Sequence, residues 1–183
     1  MTLHRKALDE LAAVLDRVDA AQLDAALQAI TAAGRIALYG VGREGLQIKG
    51  LAMRLYHLGL DATVVGDMNC PPLGAGDLLV VSAGPGHFST VEALLKVARH
   101  DGATTLLVTA QPQGACTPLA DLLLTVPAQT MANDQGAAAA SVLPMGSLYE
   151  GTLYLLFELM VLRLRERLAV AAEAMRARHT NLE

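Results

Sequence analysis

Two glycine-rich segments contain the residues of this sequence best suited to hold an anion. The first reads GVGREG at 40–45, and the second reads SAGPGHFST at 82–90. Glycine lets main-chain N–H groups approach a ligand closely, and a following helix adds its positive N-terminal dipole. The segments predict a site for a phosphorylated or otherwise anionic small molecule. The candidate contacts are Gly42, Ser82, Gly84, Gly86, His87, Ser89 and Thr90.

The first segment also fits the Gly-x-Gly-x-x-Gly pattern of dinucleotide-binding proteins. Asp67, which follows the second predicted strand, could then contact a ribose hydroxyl. This pattern is weak evidence by itself, because a strand-to-helix turn in an α/β protein needs glycine for packing whether or not it binds a nucleotide. The glycine spacing alone leaves both interpretations open.

The second segment has a purely structural interpretation as well. Ser89 and Glu92 form the Ser-x-x-Glu pattern of a capping box, in which the serine only caps its own helix. Pro85 carries no N–H group and Phe88 is apolar, so this loop offers few donors to an anion.

The elements that must position these segments alternate between strands and helices. Apolar spacings of three and four predict two helices, or one bent helix, within residues 1–33. Strands are expected at 36–39, 63–65, 78–81, 104–108 and 122–126, and further helices at about 46–58, 90–100, 147–168 and 170–178. We expect 131–140 to be a loop. Strands that are apolar on both faces and alternate with helices predict a parallel α/β sheet with ligands at its carboxyl edge.

The composition favours a single compact domain that includes all 183 residues. Hydrophobic residues make up 53% of the chain and charged residues 17%, and the formal net charge is −4, which excludes an intrinsically disordered chain. A weakly acidic chain also gives no basis for binding nucleic acid.

Other features argue against membrane, metal and redox functions. The longest apolar stretch, 153–162, contains Glu158 and is shorter than the roughly 18 residues that a membrane span requires. Acidic residues soon after the N-terminus are not typical of a signal peptide, so we expect a cytoplasmic protein. Cys70 and Cys116 lack C-x-x-C spacing and a nearby histidine, which indicates neither a metal site nor a redox dithiol.

Four segments in collinear order set this sequence apart from α/β proteins in general. They read GVGREG at 40–45, AMRLYHLG at 52–59, PMGSLYE at 144–150 and RHTNLE at 178–183. Together they resemble the 6-phospho-3-hexuloisomerase branch of the sugar isomerase (SIS) domain family over essentially the whole chain. The resemblance implies a single SIS domain with a three-layer α/β/α architecture and a five-stranded, flavodoxin-like parallel sheet.

The resemblance also implies an activity, the interconversion of a 3-ketohexose 6-phosphate and fructose 6-phosphate without a metal or a nucleotide. It explains the glycine pattern of 40–45 without a dinucleotide. It further implies a homotetramer with its sites near subunit interfaces, in which the helices of 1–33 and 147–178 pack on the core and on neighbouring subunits.

Both glycine segments depart from the pattern of that family. Where the family usually has Ser-Gly-Ser-Gly-Glu-Thr, residues 83–88 read AGPGHF, and the usual Gly-Arg-Ser-Gly is GREG at 42–45. Four hydroxyl groups that would donate to phosphate are missing, and Glu44 could place a carboxylate beside it. A protonated His87, or Ser82, Ser89 or Thr90 from shifted positions, could replace them. The alternative is a catalytically silent SIS module that binds a carbohydrate derivative or a partner protein.

An isomerase of this kind needs a base that moves a proton between neighbouring carbons. We expect Glu150 to be this base, although Ser147 and Glu150 again have the spacing of a capping box. His179, in the terminal motif, is expected to assist ring opening or proton shuttling, from a neighbouring subunit if its own chain cannot bring it to the site. Arg43 would polarise the oxygen that gains charge or hold the phosphate, and its structural alternative is a surface ion pair with Glu44.

The apolar residues of the helix at 147–168 extend too far around its surface for one buried stripe. Leu148, Leu155, Leu159 and Leu162 lie on one side, and Leu153, Phe157 and Met160 lie around the rest of the cylinder. A second subunit would cover the remainder, so the sequence predicts at least a dimer.

Overall fold

Five short apolar segments pair into one parallel sheet. A computed structural model describes residues 1–136 and 139–182, and its strands are β1 (Ile36–Gly40), β2 (Ala62–Val64), β3 (Leu78–Ser82), β4 (Thr104–Thr109) and β5 (Leu122–Thr125). The order across the sheet is β2-β1-β3-β4-β5, with every neighbouring pair parallel. The predicted five-stranded, flavodoxin-like parallel sheet is therefore confirmed.

One α-helix connects β1 with β2, another connects β3 with β4, and the sheet is covered by α-helices. Those in the described residues are α1 (Leu3–Leu15), α2 (Ala20–Ala32), α3 (Gly42–His57), α4 (Ser89–His100), α5 (Ser147–Arg167) and α6 (Ala172–Ala177). The loop predicted at 131–140 is observed at 131–136 and 139–140, while 137 and 138 lie outside the described residues. None of the helices in this part of the chain has the length and apolar character to cross a membrane.

The two faces of the sheet are buried by different helices. Because side chains alternate along a strand, Ile36 and Leu38 of β1 pack with α2, α3 and α5 on one face, whereas Ala37 packs with α4 on the other. Helix α1 packs against α5. The result is the three-layer α/β/α architecture expected for a parallel sheet.

The turn from β1 into α3 is tighter than the sequence suggests. The helix begins at Gly42 rather than near Leu46, because Gly42 adopts a positive φ of 57° that lets the chain enter the helix directly from the strand. A methyl group on Gly45 would lie 2.5 Å from the carbonyl oxygen of Gly40. This close approach accounts for the glycine spacing of 40–45 by helix–strand packing.

The strand order places both glycine segments at the topological switch point. The chain leaves β1 toward β2 at one edge and leaves β3 toward β4 in the opposite direction, so the connections after β1 and β3 diverge. Ligands of open α/β sheets bind in the crevice that forms there, beyond the carboxyl ends of the strands.

Candidate active site

A cavity of about 400 Å³ lies beyond the carboxyl ends of β1 and β3. The first turn of α3 contributes Arg43 and Glu44, and the first turn of α5 contributes Tyr149 and Glu150. The loop after β3 closes one side with Phe88. Two of the three predicted catalytic residues, Arg43 and Glu150, therefore share one cavity.

Arg43 and Glu150 form an ion pair at the start of their helices. Nε of Arg43 lies 3.2 Å from Oε2 of Glu150, and Nη1 of Arg43 donates to Oγ of Ser147 at 3.2 Å. The Glu150 side chain is only 15% exposed. Burial raises the pKa of Glu150 above its ordinary value, and the Arg43 guanidinium partly opposes this rise. The site thus holds a carboxylate that is oriented by a cation and is a stronger proton acceptor than an exposed glutamate.

The capping-box interpretation of Ser147 and Glu150 is wrong. Gly146 is the N-cap residue of α5, so Ser147 already lies inside the helix. The Ser147 hydroxyl accepts a hydrogen bond from Arg43, and the Glu150 carboxylate pairs with the same arginine. Both side chains therefore contact Arg43 instead of capping the helix.

Glu44 turns inward, away from Arg43. Its Oε2 accepts hydrogen bonds from Oγ of Ser82 at 2.7 Å and from the main-chain N–H of Gly84 at 2.9 Å. Burial raises the pKa of Glu44, these two hydrogen bonds lower it, and nearby Glu150 raises it slightly further. The alternative interpretation of Arg43, a surface ion pair with Glu44, is wrong, because consecutive helical residues point about 100° apart and Arg43 pairs with Glu150 instead.

Ser82 and Tyr149 extend this buried network. The Ser82 hydroxyl lies 3.1 Å from the Tyr149 hydroxyl, and both side chains are buried. Burial raises the pKa of Tyr149 well above its ordinary value, so its hydroxyl stays protonated. No sequence pattern pointed to Tyr149 by itself, although it lies within the PMGSLYE motif at 144–150.

The loop after β3 is closed around its glycines. A methyl group on Gly84 would lie 2.7 Å from Cε1 of Tyr149 and 2.9 Å from Oε1 of Glu44. The N–H of Gly86, which has a positive φ of 91°, donates to the carbonyl oxygen of Ala83 at 2.9 Å. This turn is compact: Gly84 packs against Glu44 and Tyr149, whereas Gly86 packs against Gln111 and Gly114.

His87, Ser89 and Thr90 are exposed around the start of α4. The capping-box interpretation of Ser89 and Glu92 is wrong, because the N-cap residue is Phe88 in an extended conformation and Ser89 is already helical. Oε2 of Glu92 lies instead 2.8 Å from Nε2 of His87. The phosphate contacts predicted from His87, Ser89 and Thr90 stay predictions.

His179 lies at the opposite end of α3 from Arg43. Its ring centroid is 5.4 Å from that of His57, the last residue of α3, and Arg178 donates to the His57 carbonyl oxygen at 3.3 Å. Because α3 rises about 1.5 Å per residue, the distance from Arg43 to His57 along the helix is about 21 Å. Within one chain, His179 and Glu150 therefore lie far apart. Glu183, the last residue of the terminal motif, lies outside the described residues.

Sequence reasoning also missed one wall of the cavity. Thr130 and Met131, in the loop after β5, line it together with the loop after β3. The main-chain N–H of Thr130 donates to Oδ1 of Asn133 at 2.8 Å, which holds the loop in place. Neither residue belongs to a recognisable motif, and only the folded arrangement brings them to the site.

Comparisons with known proteins support the resemblance. No protein-family model matches the chain. A 3-hexulose-6-phosphate isomerase of Mycobacterium gastri is 35% identical over 175 residues, which cover 96% of this chain and 87% of that protein. A 3-hexulose-6-phosphate isomerase of Bacillus subtilis is 34% identical over 144 residues, covering 79% and 77%.

A solved structure shares the whole architecture. It is that of a protein from Methanococcus jannaschii for which a function as 3-hexulose-6-phosphate isomerase was inferred, and it matches with a TM-score of 0.85 at 25% identity over 98% of both chains. The isomerase class and the SIS-domain fold predicted from the four collinear segments are therefore confirmed. This chain belongs to the family of 3-hexulose-6-phosphate isomerases.

Proposed function

We propose that the cavity between α3 and α5 interconverts a 3-ketohexose 6-phosphate and fructose 6-phosphate through an ene-diol(ate). The observation that carries the proposal is the partly buried Glu150 carboxylate, paired with Arg43 in a cavity at the carboxyl edge of the sheet. The similarity to 3-hexulose-6-phosphate isomerases supports the choice of reaction.

Glu150 acts as the base in this proposal. Its carboxylate removes the proton from C2 of the 3-ketohexose, and the electron pair of the broken C–H bond forms the C2–C3 double bond while the ketone oxygen gains negative charge. The Arg43 guanidinium faces that developing charge. The ene-diolate collapses to the C2 ketone when the proton returns to C3, and the hydroxyl proton of C2 passes to the oxygen of C3. The raised pKa of Glu150 favours this proton transfer.

His179 comes from a second subunit in this proposal. Its own chain holds it about 21 Å along α3 from Arg43, so it cannot reach Glu150 of the same chain. Side chains of Leu46, Met53, Tyr154 and Leu162 are half exposed or more on α3 and α5, and a groove runs between these helices. A second copy packed on this apolar surface buries it. A homotetramer can both bury the surface and bring His179 of one subunit to the cavity of another.

Deuterium exchange tests the reaction directly. Fructose 6-phosphate incubated with the protein in heavy water should gain deuterium at C3, and Glu150→Gln should slow the exchange about 10²- to 10⁴-fold. Asp24→Asn is a matched control, because it also replaces a carboxylate with an amide. Asp24 pairs with Arg167 on the surface, and neither residue lines the cavity. Exchange that persists unchanged in Glu150→Gln would remove the proposed base.

Subunit mixing tests the shared site. Glu150→Gln and His179→Ala should each exchange slowly alone, whereas oligomers mixed from both should regain part of the exchange activity, because some sites then combine an intact Glu150 with an intact His179. Light scattering checks that mixed oligomers form. If mixed oligomers stay inactive, His179 does not complete a neighbouring site.

A further inference from the structure

The turn after β3 has already used its main-chain donors on the protein itself. The N–H of Gly84 donates to Glu44, and the N–H of Gly86 donates to Ala83. Pro85 has no N–H group. Within the described structure, residues 84–86 therefore present no main-chain donor to a ligand, although a glycine turn between a strand and a helix is a favourable place for an anion.

The nearest side-chain donor is used in the same way. The Ser82 hydroxyl donates to Oε2 of Glu44 at 2.7 Å and contacts the Tyr149 hydroxyl. Glu44 lines the cavity although it is only 7% exposed, and its Oε1 covers Gly84. One carboxylate oxygen thus receives both of these donors, so neither is left for an oxygen of a phosphate group.

A phosphate at this turn would face a carboxylate. A phosphate monoester carries about −1.5 to −2 charges at neutral pH, and like charges juxtaposed at a binding site repel each other. A sugar hydroxyl beside the carboxylate is favourable instead, because it donates a hydrogen bond to a carboxylate oxygen. The chemistry of the turn therefore suits a neutral, hydroxylated end of a sugar.

We propose that Glu44 is a specificity-determining residue whose carboxylate occupies the anion position of the turn after β3, so that the cavity selects a ketose by its hydroxyl groups and not by a phosphate at this turn. The inference rests on the proposed function, because it assigns substrate selection in the same cavity. The phosphate of a hexulose phosphate then lies outside the turn, and the unphosphorylated ketose is accepted by the same site.

Paired substrates and two variants test this assignment. The ratio of kcat/KM for exchange of fructose 6-phosphate to that of fructose is measured for the wild type, Glu44→Gln and Glu44→Ser. Both variants remove the negative charge, and Glu44→Gln preserves the size of the side chain, so that the fold is retained. The intrinsic reactivity of the two sugars cancels when the ratio is compared between proteins.

The ratio should rise about ten-fold or more in both variants, because a repulsion of more than about 1.4 kcal/mol has been removed. A ratio that is unchanged or falls in both variants overturns the proposal, as does a wild type that reacts only with the phosphorylated sugar. Asp24→Asn, a surface variant, should leave the ratio as it is.

A binding measurement separates this inference from the proposed reaction. Inorganic phosphate should not raise the Tm of the wild type, whereas it should raise the Tm of Glu44→Ser in proportion to the logarithm of its concentration. If neither sugar exchanges deuterium in any protein, the proposed reaction fails, and the phosphate titration still decides the role of Glu44. Equal phosphate shifts in the wild type and Glu44→Ser would overturn it.

Discussion

Replacing Gly45 with alanine tests whether the first glycine segment is built for helix–strand packing. A methyl group at this position would lie 2.5 Å from the carbonyl oxygen and 3.1 Å from the carbonyl carbon of Gly40. Ordinary contacts between such atoms begin near 3.5 Å. The obstacle is backbone in a buried strand, so it cannot move aside as a flexible side chain would.

The expected cost follows from this overlap. Overpacking by a methyl group in a well-packed interior typically costs about 1–3 kcal/mol. For a domain of 150–250 residues, each kcal/mol lowers the Tm by about 2–4 °C, so Gly45→Ala should lower it by about 2–12 °C. Alanine has the higher helix propensity, which would stabilise α3 by up to about 1 kcal/mol if the contact with Gly40 were absent.

Urea unfolding at a fixed protein concentration measures this change. The midpoint should fall while the slope with urea stays the same, because the native and unfolded surfaces are otherwise unaltered. Lys49→Ala provides a control on the exposed side of the same helix, and its effect should stay within about 0.5 kcal/mol.

The sign of the result decides between the two explanations of the glycine pattern. A Gly45→Ala variant as stable as the wild type, or more stable, would refute the packing argument. The close approach of α3 to β1 would then need another cause, and ligand binding would be the better explanation of the glycine spacing at 40–45.

Three further predictions concern the side chains around the cavity. Burial raises the pKa of Glu44 above its ordinary value of 4.5, so the stability that protonated Glu44 gives the fold is present below pH 4.5 and is lost as the pH rises through the folded-state pKa. Glu44→Gln should therefore have a higher Tm than the wild type at pH 7, and this difference should vanish below pH 4.5. Arg43→Met should raise the pKa of Glu150, so that the acid limb of the pH profile of deuterium exchange moves to higher pH; a limb that stays in place would show that another group limits the rate. Thr109→Val should cost about 1–3 kcal/mol in urea unfolding, because the buried Thr109 hydroxyl donates to the carbonyl oxygen of Ala83 at 2.7 Å and accepts from the N–H of Gln111 at 3.0 Å; a cost near zero would mean that neither bond holds the turn after β3.

The fold could be predicted because its signals are local and repeated. Short runs of aliphatic residues are typical of strands buried on both faces, and they recur between amphipathic helices. Even so, the sequence predicts a start of α3 near residue 46, four residues after the observed start at Gly42. Arg43 and Glu44 between glycines are typical of a loop, and only the positive φ of Gly42 shows that the helix begins there.

The site could be predicted only in part because side-chain directions depend on tertiary contacts. Arg43 and Glu150 were identified from chemistry and from the family resemblance, and the structure places them together. The inward direction of Glu44 depends on Ser82 and on the Gly84 N–H, which lie far from it in sequence. The neighbourhood of His179 depends in the same way on where α3 ends.

The contact of Gly40 with Gly45 also bears on how fast such a site can work. Two main chains that touch without intervening side chains allow the helix almost no sliding along the strand, so the first turn of α3 has one position relative to the sheet. In the proposed reaction, the position of Arg43 is then set when the chain folds, and little reorganisation is needed when a sugar binds. We expect a bulkier residue at either glycine to shift the first turn of α3 relative to the sheet. The proposed isomerase activity should then fall before the protein fails to fold.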